Sequence, residues 1–247
     1  MASITGNPTL NTNSVGLYAT TTQVPSAYSV GQLVYGANGK AFRLALVGAS
    51  NLVMGNMLQS SAVDTQFTNM AVPTATAAGS YTIDITNGTT TVSANQFDGG
   101  SMSVYTAGTV AIGDEYTIIS HTTGGSGATI TLTLDQPLRA AFTTSAKVNM
   151  RRSPWSGVIQ SPATTLTGTP AGVAMWAATA AQYTWVQTKG VGAVLSDGSS
   201  ILVGSPLAVP SGTAGAVILG ATNLTPVGYA MQAAAAAHAI GAQLQID

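Results

Sequence analysis

The stretch Thr129-Ile130-Thr131-Leu132-Thr133-Leu134-Asp135 decides the fold class. Ile130, Leu132 and Leu134 alternate with Thr129, Thr131 and Thr133. A period of two places three aliphatic side chains on one face of a strand and three hydroxyls on the other. Threonine suits the outer face because its branched Cβ fits the pleat. The glycine-rich run Thr122-Thr123-Gly124-Gly125-Ser126-Gly127 lies just upstream, preceded by a second short strand at 116–120. Residues 116–135 therefore predict a hairpin.

The same pattern extends in both directions. Tyr81, Ile83 and Ile85 alternate with Thr82, Asp84 and Thr86, and Asn87-Gly88 follows, a pair suited to a two-residue hairpin turn. Strands at 30–35 and 41–47 flank the turn Gly36-Ala37-Asn38-Gly39-Lys40. In the second of them Phe42, Leu44 and Leu46 share one face and Arg43 takes the other with Ala41, Ala45 and Val47. A further strand is read at 52–58. Downstream, the apolar spacing of Val173, Trp176, Ala177, Ala180 and Ala181 predicts a short helix that feeds a strand at 183–188. Residues 190–195 and 201–209 read as a hairpin around Ser196-Asp197-Gly198-Ser199, and 226–233 and 242–246 as closing strands. The alanine tract 233–237 suits either a helix or a small-residue loop. No repeat of fixed period is visible.

The expected architecture is all-β: short antiparallel strands in a barrel- or sandwich-like domain with an inserted second β lobe and little helix. Residues 1–29, turn-rich and without sustained periodicity, read as an extended arm that Tyr18 and Tyr28 could anchor on a neighbour. Residues 30–75 and 155–247 make the base domain and 76–154 the inserted lobe. Arg151-Arg152-Ser153-Pro154-Trp155 marks the junction. Arg and Trp are enriched at interface hot spots, so Arg151, Arg152, Pro154 and Trp155 join Tyr18 and Tyr28 as candidate interface residues.

Charge narrows the function classes. The 247 residues hold seven Lys+Arg and eight Asp+Glu, only 6% of the chain, with a net charge of −1. A typical soluble domain carries ~25%. The runs 1–39, 153–188 and 198–246 have no charged residue at all. So few cations make no phosphate-neutralising surface, which argues against a nucleic-acid partner. Such a neutral surface is expected either to be covered by other subunits or to stay soluble through its 35 Thr and 22 Ser hydroxyls. The uncharged runs are broken by Gly, Pro, Thr and Ser well short of a membrane span. The N-terminus has neither a basic region nor an apolar core, so no signal peptide is expected and synthesis is placed in a cytoplasm.

No chemistry is assembled by the sequence. There is no cysteine, and the two histidines, His121 and His238, stand in no metal-ligand spacing. Asp114 and Glu115 are adjacent, which sends them to opposite faces of a strand. Asn95-Gln96-Phe97-Asp98-Gly99-Gly100 lacks the repeated oxygen spacing of a calcium loop and reads as a turn. No enzyme activity and no cofactor are expected.

A set of scattered segments carries a resemblance. These are Gly-Gln-Leu-Val (31–34), Lys-Ala-Phe-Arg-Leu-Ala (40–45), Trp-Val-Gln-Thr-Lys-Gly (185–190), Leu-Ser-Asp-Gly (195–198), Pro-Val-Gly-Tyr-Ala-Met (226–231) and Gln-Leu-Gln-Ile-Asp (243–247). In this order the chain resembles head decoration (capsid cement) proteins of tailed bacteriophages. The resemblance implies a small β-barrel-like domain, no enzyme activity, and binding to the major capsid protein on the outside of an assembled shell, often as a trimer. The middle of the chain, 76–150, lies outside it. A tail-fibre or carbohydrate-binding β module is the alternative, kept open by Trp155, Trp176 and Trp185.

Overall fold

The computed structural model describes residues 17–23, 28–106 and 112–247. The greater part of the expected arm, 1–16 and 24–27, lies outside the described residues. The chain runs through β1 (Leu33–Tyr35), β2 (Ala41–Val47) and β3 (Met57–Gln59). It continues through β4 (Met70–Ala71), β5 (Thr82–Thr86), β6 (Ser101–Thr106), β7 (Glu115–His121), β8 (Thr129–Leu134) and β9 (Lys147–Arg151). The last strands are β10 (Ser156–Gln160), β11 (Pro170–Ala174), β12 (Tyr183–Leu195), β13 (Pro206–Val209), β14 (Ile218–Leu219), β15 (Thr225–Ala230) and β16 (Ala239–Gln245). Among the described residues the only helical turns are two three-residue 3₁₀ segments, Ala37–Gly39 and Thr65–Phe67. The fold is all-β, as the alternation predicts.

Two units divide the chain: 1–62 with 154–247, and 63–153. The expected boundary at 75/76 moves to 62/63, because Met70 and Ala71 pair with Val148 and Lys147, and Phe67, Met70 and Val72 enter the core of the second unit. Backbone pairing thus joins 63–75 to the strands that follow.

In the first unit the strands close into a barrel. One edge of β2 pairs antiparallel with β12 over Leu46↔Tyr183 to Ala41↔Lys189. Its other edge is shared between β1, antiparallel, and β10, parallel. From β10 the ring passes through β3 and β11 and returns to β12. At thirteen residues β12 is long enough to pair with β2 along its first half and with β16 along its second. From β16 the sheet continues through β15 and β13 to β14. The change of partner occurs at Gly190, where φ is +86 and a Cβ would stand 2.9 Å from Lys40 Cα. Only glycine admits that approach at that backbone angle.

Strand β2 is buried on both faces. Ala45 and Val47 pack in one cluster with Leu58, Val158 and Val186, while Phe42 and Leu44 pack in another with Val34 and Trp185. Leu17, Tyr28, Met175 and Tyr183 pack against this second cluster, so the described part of the arm lies against its own barrel. The second unit is a six-stranded antiparallel sheet in the order β4-β9-β6-β7-β8-β5. Its core collects Ile83 and Ile85, Met102 and Val104, Tyr116 and Ile118, and Ile130, Leu132 and Leu134. The 116–135 hairpin forms as read, with Ile118↔Leu134 and His121↔Leu132 opposed across an irregularity near Ile119.

Several local expectations are corrected. The helix near 173 is absent: Val173 and Ala174 lie in β11, and of the five residues whose spacing predicted it only Val173 is buried, while Trp176, Ala177, Ala180 and Ala181 are exposed in the turns ahead of β12. Asn87-Gly88 is not a hairpin turn, because β5 pairs with β8. Asn87 Nδ2 instead donates to the carbonyls of Thr90, Gly124 and Gly125 at 2.8, 3.2 and 2.8 Å, tying two loops together. The expected 190–209 hairpin does not form, since β12 pairs with β16 and β13 with β14 and β15. The 52–58 strand shortens to β3 behind a turn, and Leu52 makes a bridge to Ala178. The alanine tract is a loop fixed by the Ile201–Ala234 bridge.

A four-residue turn recurs in both units. Its first carbonyl accepts a hydrogen bond from its fourth N–H, and its third residue has positive φ, the signature of a type II turn. Just ahead of strands it occurs at 29–32, 53–56, 77–80, 97–100, 125–128, 179–182, 202–205 and 213–216. The third residue is glycine in every case but one, where it is Ala181 at φ +62.

Candidate functional site

The sequence-adjacent cluster 151–155 divides at the unit boundary between Ser153 and Pro154. In the second unit Arg151 ends β9 opposite Ser101 and is exposed. Arg152 lies with its guanidinium 5.7 Å above the ring of Phe97, and desolvation lowers its pKa while Asp64 opposes that shift. In the first unit Pro154 is exposed and Trp155 is half-buried. The Trp155 indole N–H donates to the Ala171 carbonyl at 3.1 Å, and the Arg43 guanidinium lies 4.1 Å from the ring centroid.

Arg43 joins more groups than any residue singled out in the sequence. Its Nε and Nη2 donate to the two carboxylate oxygens of Asp247 at 2.5 and 3.1 Å, and Nη1 donates to the Gly31 carbonyl at 2.7 Å. The Thr188 hydroxyl donates to the same carboxylate at 3.1 Å. A planar fork with five donors satisfies a carboxylate, a carbonyl and an aromatic face together, which an ammonium group does not match. The sequence signal was a lone cation in an otherwise apolar strand, and its partner lies 204 residues away.

The two tyrosines take different roles. Tyr28 meets Trp185 edge-to-face at 5.4 Å and covers the outer cluster of the barrel. Tyr18 meets Trp176 at 6.4 Å, and both remain in solvent, 58% and 43% exposed. The turn carrying Val53 and Met54, also exposed, is held by backbone pairing to the residues on either side of Trp176. Leu52 bridges to Ala178 on one side, and the Gly55 N–H donates to the Ala174 carbonyl at 2.9 Å on the other. The segments that build this face, 17–23, 48–59 and 171–188, contain no charged residue. An exposed apolar group without charge marks a contact surface more readily than scattered single residues do. Of the three tryptophans only Trp176 offers an open ring, since Trp185 is 2% exposed and Trp155 lies beneath Arg43.

Polar groups in the second unit gather at the start of the loop after β7. The His121 side chain is wholly buried. Its Nε2 accepts the Phe97 N–H at 3.1 Å, and Nδ1 stands 3.0 Å from the Thr122 carbonyl. A ring that accepts at Nε2 and donates from Nδ1 is the neutral tautomer. Asp98 Oδ1 is buried without a hydrogen-bond partner, 3.7 Å from Nε2. Burial raises the Asp98 pKa, and the nearby His121 partly offsets the rise.

Comparisons of the chain with protein-family models, curated proteins and solved structures find no match. Among the described residues no helix is long and apolar enough to cross a membrane.

Proposed function

We propose that this chain is a structural virion protein that binds the outside of a tailed-phage capsid shell and decorates or cements it. One observation carries the reading. The segments that resemble the decoration family are scattered along the chain, yet all but 195–198, at the end of β12, fall on strands β1, β2, β12, β16 and β15, hydrogen-bonded to one another in that order. A resemblance spread over distant pieces gains weight when those pieces build one continuous sheet. The charge-free face at Tyr18, Val53, Met54 and Trp176 supplies apolar area for the major capsid protein or for a second copy of the chain. Closed cyclic association, as a trimer at three-fold positions, covers neutral surface without growing into filaments. Neither nucleic acid nor membrane is a partner in this reading.

Cryo-EM of particles produced by the genome that encodes the chain tests it. The expected density lies on the outer shell surface, with Trp176→Lys or Met54→Lys reducing occupancy while leaving the fold intact. Absence from the particle overturns the proposal. Density in a tail fibre favours the second reading, a carbohydrate-binding module, which the open Trp176 ring beside Tyr18 supports because aromatic faces stack on sugars.

A further inference from the structure

The second unit carries an unused acid–base pair. His121 Nε2 and Asp98 Oδ1 are both acceptors as they stand, 3.7 Å apart, and the oxygen is buried with no donor of its own. Two facing acceptors lack one proton between them. We infer that His121 is a proton-operated latch that holds the 93–99 loop at neutral pH and releases it in acid. In the neutral state the Nε2 lone pair accepts the Phe97 N–H and fixes the loop backbone to the end of β7. When a proton from solvent binds that lone pair, Nε2 becomes a donor, so the Phe97 hydrogen bond breaks. The new N–H finds Asp98 Oδ1, and a charge-assisted bond of ordinary length needs a closure of about 0.9 Å. No other bond is made or broken.

The charged groups facing this cluster favour a two-position response. Asp98 attracts the protonated ring from the loop itself. Arg152 opposes it from above Phe97, whose ring meets His121 edge-to-face at 5.8 Å, and Asp64 acts on Arg152. From β8 the residue opposite His121 is Leu132, which carries no charge. Phe97 also packs on Phe67 at 4.7 Å, so movement of its backbone is felt in the core of this unit. The inference does not depend on the shell-binding reading.

Amide hydrogen exchange on the full chain, measured from about pH 7.5 to about pH 5, tests it. After correction for intrinsic rates, protection of the Phe97 amide is expected to fall at least about tenfold relative to the Leu134 amide, which donates to Tyr81 in the same unit. Constant relative protection overturns the latch. Asp98→Ala removes the acceptor for the protonated ring and is expected to move the step down by about one pH unit. An unmoved step removes Asp98 from the device. His121→Gln is expected to abolish the step. If that variant does not fold, imidazole ¹⁵N shifts of the unmodified chain decide instead: Nε2 unprotonated at the upper pH and protonated at the lower supports the latch, and Nε2 already protonated at the upper pH overturns it.

Discussion

Gln187 shows how a single polar side chain stabilises the irregularity in β12. It is buried, and its Nε2 donates to the carbonyls of Lys189 and Val191, each at 3.0 Å, across the point where β12 changes partner. Gly192 leaves room for it: a Cβ there would stand 2.8 Å from Gln187 Oε1. Gln187→Leu keeps the volume and removes both hydrogen bonds from a buried site. We expect it to lower the stability of the first unit by about 1–3 kcal/mol in urea titration. Trp155, Trp176 and Trp185 all lie in that unit, so tryptophan emission reads its transition alone. Asp98 acts in the opposite sense. Burial raises its carboxyl pKa, so the folded state binds the proton more tightly than the unfolded chain does. Its contribution to stability is present below the ordinary carboxylate range and is lost as the pH rises through the raised value. Asp98→Asn is therefore expected to raise the melting temperature at pH 7 and to flatten this part of the stability profile. Equal melting curves for both proteins at pH 7 would contradict that assignment.

The recurring turn is a device that many of the strands share. It reverses the chain in four residues and delivers it in extended conformation, which suits a protein of many short strands. Its third position requires positive φ, and there a Cβ costs roughly 1–2 kcal/mol. Gly204 has φ +80 and nothing within 4 Å of a built Cβ, so Gly204→Ala isolates the backbone term. The expected loss is about 1 kcal/mol. Ala181 already bears that cost at φ +62, so Ala181→Gly is expected to gain up to about 1 kcal/mol. Tryptophan-detected urea titration measures both, and equal midpoints for the three proteins would show that this turn carries no strain. The recurrence was legible in outline, since glycine stands two residues ahead of the strand at Gly31, Gly55, Gly127 and Gly204. It escaped a search for a fixed period because the connections between turns differ in length. The same local signals misled where neighbours decide. Asn87-Gly88 has hairpin chemistry, but the strand that pairs with β5 lies 43 residues beyond Thr86, at Thr129.

At the scale of the molecule, 63–153 has a core of its own, and it interrupts the barrel between β3 and β10, which pair antiparallel through Gln59↔Ile159 and Gln160↔Leu58. Antiparallel pairing brings the two ends of the interruption toward each other. Replacing 63–153 by a flexible linker of about six Gly and Ser residues is expected to leave a folded barrel with a cooperative transition and blue-shifted Trp185 emission. A chain that loses that emission would show the barrel to depend on the second unit. The 63–153 segment expressed alone is expected to retain β-sheet circular dichroism.

Alternation in 129–135, 81–86 and 41–47 was enough to determine the fold class, and in the first two the buried face followed from it, because a period of two is a property of the strand itself; in 41–47 the assembled barrel buries both faces. Charge, too, was fully legible, since it depends on composition alone. Partner choice was not. Closure of the barrel rests on β2 meeting β12 and β10, and the Arg43 clamp on Asp247, contacts separated by more than a hundred residues. The exposed pair of Tyr18 and Trp176 likewise came into view only with the turns in place. Alternation fixes which face of a strand is buried but leaves its edges equivalent, and only the assembled sheet distinguishes one edge from the other.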